Sequence, residues 1–239
     1  MNGRSTGPPS RSAPAGPWFE SIPKPGGGVR RLTRLDPAGD AEYREAVRPL
    51  VGRIERSLGP EVFAIRSRSV PGGWRLAPWG PARAAWRRAV RRVIDDAGRE
   101  TAFALADVRD CYGSISPETI ASLLGPEAAH AVAFLRRAHE RGVRGLPIGP
   151  DPSAVLANAV LGEMDGAIRD AGARHLRWVD DLFVWGSRAD VDRALRALDV
   201  AATRLGLAMH PDKTRILADL HEARSVALGA RDSSIIAAP

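Results

Sequence analysis

The chain has 239 residues, 44% hydrophobic and 26% charged, which is enough to bury a sizeable core and is ordinary for a globular protein. The sequence has no apolar run long enough to cross a bilayer, no secretory signal and a single cysteine, Cys111, so we expect a cytoplasmic protein without disulfides or a membrane partner. The net charge of +7 favours a polyanionic partner.

The first segments predicted are a disordered tail and a flexible basic loop. Residues 1–17 are rich in Gly, Pro, Ser and Arg, a composition that predicts disorder. The glycines at 26–28 lie between Lys24 and Arg30. This pattern is typical of a hairpin tip that binds phosphates, although a solvated linker has the same composition. Only two of the 35 Lys and Arg residues are lysines, Lys24 and Lys213, which makes both positions worth testing.

Helical spacing of apolar residues predicts helices over residues 43–58 and 81–98. Pro49 lies inside the first pattern and predicts a kink or a division into two short helices. The intervening residues, 61–80, are expected to be irregular with short extended pieces. The second helix has a basic side formed by Arg83, Arg87, Arg88, Arg91 and Arg92. That side is either a solvated face or a contact for a nucleic-acid backbone.

An apolar strand that ends at an acid is predicted over residues 101–108. Side chains alternate along a strand, so Asp107 shares one face with large apolar residues, while small residues on the other face leave room for helices. A turn through Tyr112 follows. Residues 118–141 are then predicted to be helical with a break near Gly125-Pro126, after a cap at Ser116.

A loop is predicted over residues 144–153, which contain three prolines and two glycines, and it includes Ile148 and Gly149. Ser153 is expected to cap the next helix. That helix, residues 154–168, is apolar on nearly every side and should therefore be buried.

Two β-favouring runs within residues 174–186 flank an adjacent acid pair, Asp180 and Asp181. They predict a hairpin with the pair at or near its tight turn. A helix over residues 187–206 is predicted next, followed by a turn and a strand over residues 207–217.

The acids are the strongest functional signal in the sequence. Aspartates are common in turns, where they are usually solvated, so the pair alone would indicate little. However, Asp107 is also predicted to end a buried strand. Carboxylates at the ends of adjacent buried strands repel one another unless cations bridge them. Magnesium, which prefers oxygen ligands, is the cation that such a group indicates.

Two segments, Asp107-Val-Arg-Asp-Cys-Tyr112 and Trp178-Val-Asp-Asp181, resemble the catalytic palm motifs of reverse transcriptases, especially the bacterial retron, group II intron and defence-associated kinds. The Pro-Lys-Pro-Gly-Gly-Gly-x-Arg pattern at 23–30 resembles their fingers loop. Gly-Leu-Pro-Ile-Gly at 145–149 resembles a third palm motif, with Ile148 where the family usually has Gln. The resemblance covers roughly residues 20–230. It is specific because several motifs occur in the correct order.

The resemblance implies an α+β, right-hand polymerase architecture of fingers and palm, with an antiparallel palm sheet packed on helices. Residues 18–98 would be the fingers and residues 99–232 the palm. A short tail over residues 233–239 would follow, without a thumb. A partner protein, a structured RNA or a second copy of the chain would then take the place of the thumb.

The resemblance also implies roles for individual residues. The ligands of two magnesium ions, or of manganese, would be Asp107, the backbone carbonyl of Val108, Asp180 and Asp181. Lys213 would lie near the leaving pyrophosphate. Contacts to the nucleotide would come from Lys24, Arg30, Tyr112, Ile148 and Gly149. Tyr112 would lie under the sugar and exclude a 2′-hydroxyl, although a half-buried palm aromatic without that role is the simpler interpretation.

The implied function is an RNA-directed DNA polymerase that uses an RNA template, a DNA or RNA primer and deoxynucleoside triphosphates, in phage defence or a mobile element. A catalytically silent RNA-binding scaffold is one alternative. Retention of all three acids favours an enzyme, because a scaffold gains nothing from crowded carboxylates. Untemplated or protein-primed nucleotide addition is the other alternative, and it would use the same site.

Overall fold

The computed structural model of the protein describes residues 18–23 and 27–229. The tails predicted at 1–17 and 233–239 and the predicted phosphate contact Lys24 lie outside the described residues. In the part of the chain that the structure describes, no helix combines the length and the apolar character needed to span a membrane.

The described residues form a mixed α+β fold, which confirms the predicted class. The strands are β1 (Trp18–Pro23), β2 (Val29–Arg34), β3 (Ser67–Val70), β4 (Gly73–Leu76), β5 (Ala102–Asp107), β6 (Arg174–Trp178), β7 (Asp181–Gly186) and β8 (Arg215–Ile216). The helices are α1 (Pro37–Ser57), α2 (Trp79–Asp95), α3 (Cys111–Ser114), α4 (Pro117–Leu124), α5 (Ala129–Glu140), α6 (Asp151–Asp170), α7 (Arg188–Arg204) and α8 (Leu220–Gly229).

A four-stranded antiparallel sheet in the order β6-β7-β5-β8 lies at the centre of the fold. The register of β5 and β7 pairs Asp107 with Asp181. Phe103 stacks on Phe183 on one side of the sheet, with ring centroids 5.6 Å apart, whereas Ala104 belongs to the core on the other side. The predicted alternation of this strand is therefore confirmed.

Helices cover both faces of the sheet. On the face with the small β5 side chains, residues of α1, α4, α5, α6 and α7 form the main core. On the other face, Val90 and Ile94 of α2 and Ala223 of α8 pack against the large side chains of β5 and β7. Two separate hairpins, β1–β2 and β3–β4, precede the sheet in the chain.

Helix α1 runs without interruption for 21 residues, so the predicted division at Pro49 is wrong. Pro49 is exposed, which lets the carbonyl that loses its hydrogen bond face water. Tyr43 and Ile54, on the opposite side, are buried on either side of that point and anchor both halves to the core. The helix also begins earlier than predicted, because the Asp36 side chain caps it.

The cap predicted at Ser153 is wrong as well. Helix α6 begins at Asp151, which places Ser153 in its first turn. The Ser153 hydroxyl is buried and shares a hydrogen bond of 3.1 Å with the hydroxyl of Tyr43, which lies 110 residues earlier in the chain. A tertiary partner thus satisfies the side chain that was expected to cap the helix.

The basic side of α2 divides into two groups. Its exposed members are Arg87, Arg88, Arg91 and Arg92. Arg83 is different, because its guanidinium lies 4.7 Å from the ring centroid of Trp86 and 4.8 Å from that of Trp178. Arg83 therefore belongs to an aromatic cluster beside the acid-pair hairpin, in a cation–π arrangement.

Candidate active site

The predicted acid-pair hairpin is confirmed. Strands β6 and β7 pair in antiparallel register, with Trp178 opposite Asp181, so the turn contains only Val179 and Asp180. Val179 has a φ of 58°, a value that hairpin turns of this length accommodate best with glycine. Asp180 consequently lies in the tight turn, and Asp181 is the first residue of β7.

The structure brings all three predicted acids together, because Asp107 ends β5 directly opposite Asp181. Burial and the charge of Asp107 raise the pKa of Asp180 to about 6. Burial, the charges of Asp180 and Asp107, and a hydrogen bond with the Asp107 carboxyl raise the pKa of Asp181 to about 8. The charge of Asp107 therefore disfavours ionisation of Asp180 and Asp181, and a bound cation would relieve that repulsion.

The segment before β8 places Lys213 beside Asp107. The His210 N–H donates to the carbonyl of Asp107 at 2.7 Å, and the Arg109 N–H donates to the carbonyl of Ala208 at 2.8 Å. The Lys213 ammonium donates to Asp107 Oδ2 at 3.0 Å. Burial alone would lower the pKa of Lys213, but this hydrogen bond and the three carboxylates raise it above its ordinary value. Lys213 is thus charged and in contact with the acid group.

Tyr112 lies near the acids, within the single-turn helix α3 rather than the predicted turn. Its ring is half-buried, and burial together with the nearby charges of Cys111 and Asp180 raises its pKa, so the phenol stays protonated. The carbonyl of Tyr112 accepts from the N–H of Leu146 at 2.7 Å. A Cβ on Gly145 would lie 2.2 Å from that carbonyl, so only glycine allows the loop to approach so closely.

The other predicted nucleotide contacts lie where β2 meets the same loop. The Thr33 N–H donates to the carbonyl of Ile148 at 2.7 Å. Gly149 has a φ of 128°, which glycine accommodates without strain. Arg30, near the start of β2, lies close enough for its charge to lower the pKa of Asp180. The structure therefore places Arg30 near Asp180, and it places Ile148 and Gly149 beside Thr33 of the same strand.

A family model described as reverse transcriptase (RNA-dependent DNA polymerase) matches residues 22–229, which is most of the chain. The chain belongs to the reverse transcriptase family. No curated protein matches it. Family membership confirms the resemblance at the level of the family and indicates nucleotidyl transfer as the general reaction.

The residues of this reverse transcriptase fit the magnesium ions that the family generally uses. Oxygen donors are what a hard divalent cation prefers, and Asp107, Asp180 and Asp181 supply them from three carboxylates. The backbone bonds of Asp107 and Arg109 to the 208–210 segment do not use the carbonyl of Val108, the fourth predicted ligand. These four residues are therefore the ones that would hold the ions.

Sequence reasoning missed a group of buried polar side chains next to the acid-pair turn, namely Asn158, Asp165, His175 and Arg177. Asp165 and Arg177 form an ion pair of 2.8 Å that has almost no contact with solvent. A signal was present, because Asp165 interrupts an apolar helical pattern and Arg177 interrupts a run predicted as a buried strand. A charged residue at such a place indicates a partner across the core.

Proposed function

We propose that this reverse transcriptase is an RNA-directed DNA polymerase that adds deoxynucleotides to a primer on an RNA template. The observation that carries the proposal is the grouping of Asp107, Asp180 and Asp181 at adjacent ends of β5 and β7, with Lys213 in contact. Burial and the neighbouring carboxylates raise the pKa of Asp180 and Asp181, so their ionisation destabilises the fold. Binding of two divalent cations would offset that cost, so a metal site would account for the grouping of the three acids.

Each residue would have a separate task in the reaction. Asp107 and Asp180 would hold both ions, with Asp181 and the Val108 carbonyl completing the ligand set. The bound ions would lower the pKa of the primer hydroxyl and neutralise the triphosphate. Arg30, on β2, would bind the triphosphate. Lys213 is charged and therefore has a proton to give to the leaving pyrophosphate.

Primer extension on an RNA template, on a DNA template and without template tests the proposal, with magnesium and with manganese. We expect incorporation of the deoxynucleotide that is complementary to the RNA template. Incorporation that ignores the template would instead support untemplated or protein-primed synthesis. Retained RNA binding without any incorporation would support the silent scaffold.

The proposal extends to the setting, on the basis of the motif resemblance to bacterial retron, group II intron and defence-associated enzymes. The enzyme would act in the bacterial cytoplasm, in phage defence or a mobile element. Plaque counts on bacteria that express the wild-type chain or the Asp180→Asn variant test the defence part. A protection that does not depend on Asp180 would contradict it.

Replacement of Tyr112 with alanine should admit ribonucleotides. If the ring lies under the sugar, its removal leaves room for a 2′-hydroxyl, and the ratio of ribonucleotide to deoxynucleotide incorporation should rise by about tenfold or more. Competition between the two nucleotide types on one primer measures this ratio. Tyr112→Phe is the matched control and should keep the wild-type ratio. An unchanged ratio in a folded Tyr112→Ala variant would leave Tyr112 as a packing residue.

Replacement of Lys213 with arginine should slow the chemical step. Arginine keeps the positive charge beside Asp107 but does not release a proton, whereas a lysine ammonium does. We expect the single-turnover rate at saturating nucleotide to fall on the order of 10²-fold, the range of a lost general acid. Lys24→Arg is the comparison variant, since a plain phosphate contact tolerates arginine. Small and equal effects at both positions would contradict the proton-donor role.

A further inference from the structure

Arg177, the residue immediately before Trp178, is a fully buried cation at the base of the acid-pair turn. Its Nε donates to Asp165 Oδ1 at 2.9 Å, and its Nη2 donates to Asp165 Oδ2 at 2.8 Å. The remaining nitrogen, Nη1, donates to Asn158 Oδ1 at 2.8 Å and to the backbone carbonyl of Val179 at 3.0 Å. One edge of the guanidinium therefore binds the Asp165 carboxylate, and the other donates to the turn that contains Asp180.

Val179, whose carbonyl accepts from Arg177, has an unfavourable backbone conformation. Val179 has a φ of 58°, and Ile65 has a φ of 60°; both are β-branched, buried and members of the same cluster. Positive φ is rare for β-branched residues and persists only where surrounding structure enforces it. The buried polar side chains bind the backbone carbonyls of both residues. Arg177 donates to the carbonyl of Val179, and Asn158 Nδ2 donates to the carbonyl of Ile65 at 3.0 Å. Two strained residues thus share one set of restraints.

We propose that Arg177, supported by Asp165 and Asn158, is a positioning residue that keeps Val179 at positive φ and thereby places Asp180 for metal binding. The proposal rests on the proposed function, because the position of Asp180 matters for activity only if Asp180 holds a metal. Arginine suits the task because its planar fork donates in two directions at once. His175 adds to the support, with Nε2 2.9 Å from Asp165 Oδ1.

A metal site is the alternative interpretation of these buried side chains. Ligand atoms of Glu61, Asp165 and His175 lie within 4.8 Å of one another, as in a metal site. However, Arg177 already contacts both carboxylate oxygens of Asp165, and Arg169 forms an ion pair with Glu61 at 2.5 Å. A divalent ion would have to displace or repel these cations. The group is therefore assigned to holding Arg177.

The test begins with Arg177→Lys. Lysine keeps a positive charge beside Asp165 but lacks the fork that reaches Val179 and Asn158. We expect Mn²⁺ affinity, measured by electron paramagnetic resonance without nucleotide, to fall about tenfold. We expect single-turnover incorporation to fall on the order of 10–100-fold, as for a misplaced catalytic group. Adding Val179→Gly should restore most of both losses, because glycine adopts positive φ without assistance.

Rescue separates positioning from simple stabilisation. If Arg177 only stabilised the fold, the double variant would be worse than Arg177→Lys, because glycine removes a buried side chain and adds freedom to the unfolded chain. The matched control is Arg66→Lys, which alters another arginine fork that donates to Glu55 and to the carbonyls of Gly59 and Val62. Val179→Gly should rescue nothing in that background.

Failure to rescue Mn²⁺ affinity, or wild-type Mn²⁺ affinity in Arg177→Lys, would overturn the proposal. If circular dichroism shows that Arg177→Lys does not fold, Asn158→Ala with and without Val179→Gly decides the question in the same way. Absence of incorporation by the wild-type chain on every template would refute the proposed function alone. The Mn²⁺ series would still decide whether Arg177 positions the turn.

Discussion

Replacing Asp107 with asparagine should abolish nucleotide incorporation while the protein stays folded, and Asp180→Asn should do the same. Each change removes a negative oxygen from the proposed metal site but keeps the size of the side chain. Metal ions contribute several kcal/mol of transition-state stabilisation, and each 1.36 kcal/mol is tenfold in rate, so a loss on the order of 10³-fold or more is expected. Single-turnover incorporation on an RNA template measures it.

The folded state of Asp180→Asn should be at least as stable as the wild type without divalent ions. Burial and the neighbouring acid disfavour the charge on Asp180, and asparagine removes that charge. Melting temperatures in the presence of a chelator give this comparison. A loss of activity accompanied by a much lower melting temperature would indicate a structural role for the acid. Near wild-type incorporation by either variant would refute the proposed site.

Asp110→Asn is the matched control for these variants. Asp110 lies three residues after Asp107, in the segment that resembles the first palm motif, but its side chain is 52% exposed. It has a φ of 46°, a conformation that asparagine also adopts readily. The control should therefore retain wild-type folding and incorporation, which would tie the loss of activity to the three grouped acids and not to any charge in the segment.

The position of each acid at a strand end or in the hairpin turn was predictable because it depends on local signals. A strand that ends at Asp107 and a hairpin whose turn contains Asp180 are both visible in the pattern of apolar residues. The pairing of these two strands is a long-range contact, and it was expected from the resemblance to the palm of reverse transcriptases. Their catalytic and metal-binding roles stay predictions, as do those of Lys213 and the nucleotide contacts.

Contacts of the buried polar side chains that join residues far apart in the chain were not predictable. Nothing local shows that Ser153 would meet Tyr43, or that Asn158 would reach the carbonyl of Ile65, 93 residues earlier. Propensity places serine at a helix cap, a rule that tertiary packing overrides at Ser153. A charged residue inside a buried strand indicates a partner but does not identify it.

The stability of the metal-free protein should fall as the pH rises from about 5 to 8. Asp180 and Asp181 have pKa values of about 6 and about 8 in the folded protein, against 3.8 ordinarily. The folded state therefore binds more protons than the unfolded state in this range, and the free energy of unfolding decreases as those protons leave. Lys213 does not oppose the trend, because its raised pKa keeps it charged throughout this range.

Magnesium should reverse this decline. The ions bind the ionised carboxylates, so their stabilisation of the folded state should be small near pH 5 and largest near pH 8. Thermal melts across this range, with millimolar magnesium and with a chelator, measure the difference in melting temperature. Asp181→Asn removes the acid whose pKa is raised to about 8, so the metal-free melting temperature of this variant should depend less on pH. A metal-free melting temperature that rises between pH 6 and 8, or a magnesium effect that is equal at all pH values, would contradict the grouping of mutually repelling carboxylates around a metal.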